Sequence, residues 1–167
     1  MICTETMVEP SAWPDKPAAE SVPSVFISYG GLAAGKRAIG LVKRLEKSAP
    51  HLEFQLSLWS FKVLSEGSGL DQATREAAQA DLLIIATDEV APLPVAVGWW
   101  LESVIRQKEG TAAAVIALLG SEENPDRDGS FRLETLRSAV RRAELSFFTP
   151  RSDPATRTLI SHLLQMH

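Results

Sequence analysis

The sequence predicts an α/β protein: a three-layer αβα sandwich around a five-stranded parallel sheet of order 2-1-3-4-5. Three observations carry this. From residue 24 onward, short apolar runs alternate with helical periodicity five times, and such alternation builds a parallel sheet with helices on both faces. Runs one, three and four are apolar throughout, as strands buried on both faces are, whereas run two alternates and run five is short, as edge strands are. No sixth strand is found, which excludes the longer doubly wound order.

Ser24–Tyr29 (SVFISY) is the first strand. Ala33–Ser48 is a helix, because Ala38, Leu41, Val42 and Leu45 recur at helical spacing and give one buried face. Leu52–Trp59 alternates strictly, with Leu52, Phe54, Leu56 and Leu58 on one side, so it is a strand with one face less buried. Gly67 and Gly69 punctuate the following loop. Leu70–Ala80 is a helix whose Ala73, Ala77 and Ala80 allow close packing on the sheet. Asp81–Thr87 is a continuously apolar strand. Pro94 opens the next helix at its favoured first turn, and the helix runs to about Lys108. Ala112–Leu119 is the fourth strand, and the acidic loop Gly120–Ser130 follows. A helix over Phe131–Glu144 leads to the short strand Leu145–Phe148. Ser152 or Asp153 caps, and Pro154 begins, a last helix buried through Leu159, Ile160, Leu163 and Leu164.

The 167 residues are 45% hydrophobic and 23% charged, which describes one globular domain, residues 24–167. Residues 1–23 form a flexible leader with Pro10, Pro14, Pro17 and Pro23. Within it Trp13 is the exception, a large apolar residue suited to docking. The leader holds a net charge of −3 of the chain's −4, so the body is nearly neutral and lacks the footprint of a nucleic-acid binder. No apolar run has membrane-spanning length and the start is not that of a secretory signal. With one cysteine, Cys3, a cytoplasmic location is expected.

In such a sheet, ligands bind beyond the carboxyl ends of the strands, where strands one and three diverge. Two segments meet there: Gly30-Gly31-Leu32-Ala33-Ala34-Gly35-Lys36, and Thr87-Asp88-Glu89. Ser121, after strand four, lies alongside. Gly30, Gly35 and Lys36 have phosphate-loop spacing, but Arg37 stands where a magnesium-binding hydroxyl belongs. A small anion on the helix start after Gly31, aided by Lys36, asks for less. A flavin phosphate loop offers several hydroxyls, and this one offers none after Ser28. In the acidic loop Asn124, Asp126, Asp128 and Gly129 match part of a calcium loop, but its last ligand position is Thr135, with Glu134 one residue early. His51, His162 and His167 have no partners at metal-ligand spacing, so no metal or cofactor is expected. Lys36, Lys43 and Lys47 form a basic stripe on the first helix, with Arg37 and Arg44 beside it. Among the aromatics, Trp59, Phe61 and Trp99 are the candidate interface. Adjacent helical residues point about 100° apart, so Trp100 faces the core and Trp99 leans outward.

The order of elements is flavodoxin-like, and it also resembles the receiver domains of bacterial two-component signalling. For that resemblance Asp88, Ser121 and Pro150 fall at suggestive positions. Gly30-Gly31 replace the acidic pair and Thr149 replaces the lysine, so phosphotransfer is not implied. LEFQLSLWSFKVL and AQADLLIIAT resemble a group of small, uncharacterised bacterial α/β proteins, whose members often have acids where Gly30-Gly31 stand. VFISY resembles the first box of TIR domains; by that analogy Glu102 is the candidate for NAD cleavage. The combined expectation is a non-catalytic signalling or protein-interaction module that pairs with a protein partner or with itself. The alternative is a small-molecule, anion or nucleotide binder or hydrolase using Gly31, Lys36, Asp88 and Glu89.

Overall fold

The computed structural model describes residues 22–50, 53–87, 94–118 and 130–148, with only the backbone of 130–135. The elements are β1 (Ser24–Tyr29), α1 (Leu32–Ser48), β2 (Gln55–Ser60), α2 (Phe61–Glu66), α3 (Leu70–Gln79), β3 (Leu82–Ala86), α4 (Val95–Gln107), β4 (Ala114–Leu118), α5 (Ser130–Arg142) and β5 (Ser146–Phe148). All five strands are parallel and lie in the order β2-β1-β3-β4-β5. This is the flavodoxin-like order that the burial pattern predicts.

The central strands are apolar throughout because each feeds two cores. Phe26, Leu83, Ile85 and Val115 face one side, where Phe61 and Leu64 of α2, Ala73 and Ala77 of α3, and residues of α4 and α5 cover them. Val25, Ile27, Leu82, Ile84, Ala114 and Ile116 face the other, under Ala34, Ala38, Leu41, Val42 and Leu45 of α1. Every residue of β3 and β4 is buried. Polar groups bracket β3: Asp81 Oδ2 accepts the Ser24 N–H at 3.0 Å, and beyond the strand Thr87 N–H donates to the Leu118 carbonyl at 2.8 Å.

Two features depart from the sequence expectation. Phe61–Glu66, expected as loop, is a short helix. The Ser60 hydroxyl caps it by accepting the Val63 N–H at 3.2 Å, and Gly67 ends it in the left-handed region at φ 79°. The second concerns β2, which is the expected edge strand with uneven burial, yet its leucine side is the exposed one. Leu56 and Leu58 are 38% and 43% exposed, while Trp59 packs inward. The reason lies above them. α1 sits mainly on β1 and β3, with a lighter contact on β4, and leaves that face of β2 uncovered. Residues 1–21 of the expected leader (1–23), residues 120–129 of the expected acidic loop and the whole of the helix expected from Pro154 lie outside the described residues, as do His51, His162 and His167. Among the described residues no helix is long and apolar enough to cross a membrane.

Candidate functional site

At the carboxyl ends of β1 and β3, only Gly30 and Gly31 link strand to helix. Gly31 is the N-cap of α1 in an extended conformation, φ −150° and ψ 167°, with no side-chain cap. Leu32 to Lys36 are already helical, so the seven residues from Gly30 to Lys36 do not wrap as a phosphate loop. Gly35 has a packing reason to be glycine: a Cβ there would lie 3.2–3.3 Å from the Tyr29 ring. The spacing that reads as phosphate-binding is therefore the spacing of a strand-end tyrosine seated on the first turns of a helix.

The mouth of the crevice is laced by main-chain bonds. The Gly30 N–H donates to the Ala86 carbonyl at 2.9 Å, extending the β1–β3 pairing past both strands. Arg37 Nη1 donates to the Thr87 carbonyl at 3.4 Å, so the side chain following Lys36 leans toward the end of β3. Thr87 is buried and Lys36 is exposed. The structure thus gathers Gly30, Gly31, Thr87 and Arg37; Asp88, Glu89 and Ser121 lie outside the described residues. The Ser28 hydroxyl is buried in β1 and donates to the Ile84 carbonyl at 3.4 Å. The described residues do not fit a flavin phosphate: the turn after β1 carries two glycines and two aliphatic residues, with no hydroxyl aimed outward. Among the described residues no group of acids, histidines and cysteines is placed to hold a metal. Glu102 is not at this crevice. With Arg106, Glu109 and Arg142 it lines an open groove between α4 and α5.

The aromatic candidates separate. Trp99 on α4 is 72% exposed, and Val95, one turn earlier on the same stripe, is 69% exposed. Trp100 packs on the core with its ring centroid 5.7 Å from that of Phe26, and its Nε1 donates to Thr74 Oγ1 at 2.9 Å. Trp59 is half-buried against the core and donates from Nε1 to Glu76 Oε2 at 2.8 Å. Phe61, expected beside it on an interface, is instead 3% exposed in the core, because it opens α2 facing the sheet. Hydrogen bonds from Trp59 and then Gln72 hold the Glu76 carboxyl below its ordinary value.

Sequence reasoning missed Lys108. This lysine is 2% exposed, and its ammonium donates to the carbonyls of Ala77, Ala78 and Ala80 at 2.9, 2.8 and 2.5 Å. These carbonyls lie at the end of α3, where Ala77 also accepts the Ala80 N–H at 3.3 Å, and a cation there complements the helix dipole. Burial pulls the ammonium down to about 8, with Asp81 acting in the opposite direction. A lysine just past a helix end carries no signal in the sequence that it turns inward.

No family profile matches the chain, and no curated protein matches it. Among solved structures, it is similar to a short-chain flavodoxin associated with a bacterial microcompartment. The identity is 7% and the TM-score 0.50, over 86% of this chain and 97% of that one. At that identity the likeness concerns the fold alone. Sheet order, layer arrangement and this neighbour agree on a flavodoxin-like α/β sandwich.

Proposed function

We propose that this chain is a non-catalytic, cytoplasmic interaction module of the signalling type, which pairs with a second copy of itself through the exposed ridge of α4. One observation carries the reading: Val95 and Trp99 leave two large apolar side chains in water on one helical stripe, while the adjacent Trp100 is half-buried against the core and hydrogen-bonded to Thr74. A well-folded helix has no packing need for an outward tryptophan, and tryptophan is enriched at the energetic centres of interfaces. A helix face of this kind is self-complementary across a two-fold axis. Sedimentation equilibrium on the full chain tests it. A dimer that Trp99→Ala converts to monomer, with the circular dichroism spectrum unchanged, is the expected result. A wild-type chain that stays monomeric at every concentration overturns it.

The second reading, an anion or nucleotide in the crevice, draws on the uncapped N-terminus of α1 and the exposed Lys36. Thermal shift with phosphate, nucleotides and NAD decides between them. A rise in melting temperature that Lys36→Ala abolishes would favour the crevice.

A further inference from the structure

The solvent face of α1 carries charge of one sign. At about 100° per residue, Lys36, Lys43 and Lys47 fall within about 40° of one another, opposite the buried Ala38, and Arg44 flanks them. All four cations are exposed. The row from Lys36 to Lys47 is about 16 Å long at the helical rise. Glu46 is the one acid in the sequence of α1, and it is turned away from the row. Its Oε2 accepts the Phe54 N–H at 3.4 Å, on the flank that faces β2.

In the middle of this face the helix has no side chain. Gly40 lies between the lysine row and Arg44, although glycine is among the poorest helix formers. Gly35 has its packing reason in the Tyr29 ring, but a Cβ on Gly40 would meet only the Arg44 guanidinium, at 3.9 Å. Among the described residues nothing asks for glycine there. Two helices approach most closely where the side chains at their contact are smallest, and a glycine at the crossing point is the limiting case. Bare backbone ringed by four cations therefore fits the crossing of a second helix that carries acids at matching spacing. Nucleic acid fits less well, because the body is nearly neutral and offers no field beyond this one row. A lipid surface takes an amphipathic helix by its apolar face, and that face of α1 is spent on the sheet.

We infer that the outer face of α1 docks an acidic helix of a partner protein, which crosses at Gly40 and sets its carboxylates against Lys36, Lys43, Arg44 and Lys47. This surface is on the opposite side of the sheet from the α4 ridge and does not depend on it. The test is a titration of the isotope-labelled full chain with an alanine-rich helical peptide bearing glutamates at i, i+7 and i+11. The amides of Lys36, Gly40, Lys43, Arg44 and Lys47 are expected to shift, and those of α4 to stay. Lys43→Glu is expected to weaken binding by about fivefold, and added salt to weaken it further. The second variant is Gly40→Gln. It is expected to melt no lower than wild type, because glutamine is the better helix former, and yet to bind several-fold more weakly. Absence of saturable binding overturns the inference, as do shifts centred off α1 or a Gly40→Gln chain that binds like wild type. So does equal binding of a peptide whose glutamates are scattered round its helix, or tighter binding of a single-stranded RNA or of phosphatidylserine vesicles. Repeating the titration in Trp99→Ala keeps the outcome separate from that of the α4 pairing, since the same affinity is expected with that ridge removed.

Discussion

Lys108 shows how one buried cation is accommodated. An ammonium has three donors, and three carbonyls at the end of α3 take them. Its folded-state value of about 8 lies below the roughly 10.4 of an unfolded lysine. Between those values the unfolded chain keeps the proton and the folded chain gives it up, so stability from this group rises with pH. Urea unfolding at pH 7 and pH 10, on wild type and Lys108→Met, reads this directly. The stability difference should move in favour of wild type at the higher pH; movement the other way refutes the placement. Two glycines of α1 make a second contrast. A Cβ on Gly40 meets only the Arg44 guanidinium at 3.9 Å, so Gly40→Ala should stabilise by about 0.5–1 kcal/mol through helix propensity. Gly35→Ala presses on the Tyr29 ring at 3.2–3.3 Å and should show no such gain. Thermal unfolding of the pair separates them.

At the scale of elements, the segment β2–α2–α3 is held by Trp59. Its indole bonds Glu76 on α3, and a Cβ on Gly69 would lie 3.3 Å from the ring. Gly67 and Gly69 both have positive φ, 79° and 73°, but nothing approaches Gly67. Alanine at Gly67 should cost about 1–2 kcal/mol for the backbone alone. Alanine at Gly69 should cost more, and the excess should shrink in a Trp59→Phe background, measured as a double-mutant cycle. The Glu76 end adds an acid-side signature. Its carboxyl is held low by Trp59, so its contribution is present above the unfolded value near 4.3 and is lost as pH falls through the lower folded value. Trp59→Phe should weaken that acid dependence in unfolding titrations. This part of the chain was the least legible in sequence. α2 has only Phe61 and Leu64 inside, too few for a periodic signal, and its real marker was the Ser60 cap. Alternation in LEFQLSLW identified an edge strand, but alternation states which residues share a face and not which face is covered. The position of α1 over β1 and β3 decides that.

Across the whole molecule, the sheet order was readable because two-sided burial leaves an unbroken apolar run, and β1, β3 and β4 each have one. The crevice was less readable. Gly30, Gly35 and Lys36 satisfy a short pattern, and only the packing of Tyr29 on Gly35 shows why one of those glycines is there. Trp99 and Trp100 were separable from helix geometry alone, whereas Phe61 was not, since a residue after a strand has no phase until its own helix is known. The layering also ranks local stability. Native-state hydrogen exchange should find the slowest amides in β1, β3 and β4, and faster ones in β2 and β5, which are paired on one side only. Equal protection in β2 and β3 would contradict the described order.

The composition of β3 has one more consequence. Leu82, Leu83, Ile84 and Ile85 are branched aliphatics of similar bulk, so sliding the strand by one residue would swap the two cores at little cost in greasiness. Strands usually resist such a slip because it would turn a polar side inward, and β3 has no polar side. What fixes it are its bookends: Asp81 clasping the start of β1, and Thr87 fastened to Leu118 and Arg37. The middle of this sheet is aligned from its ends.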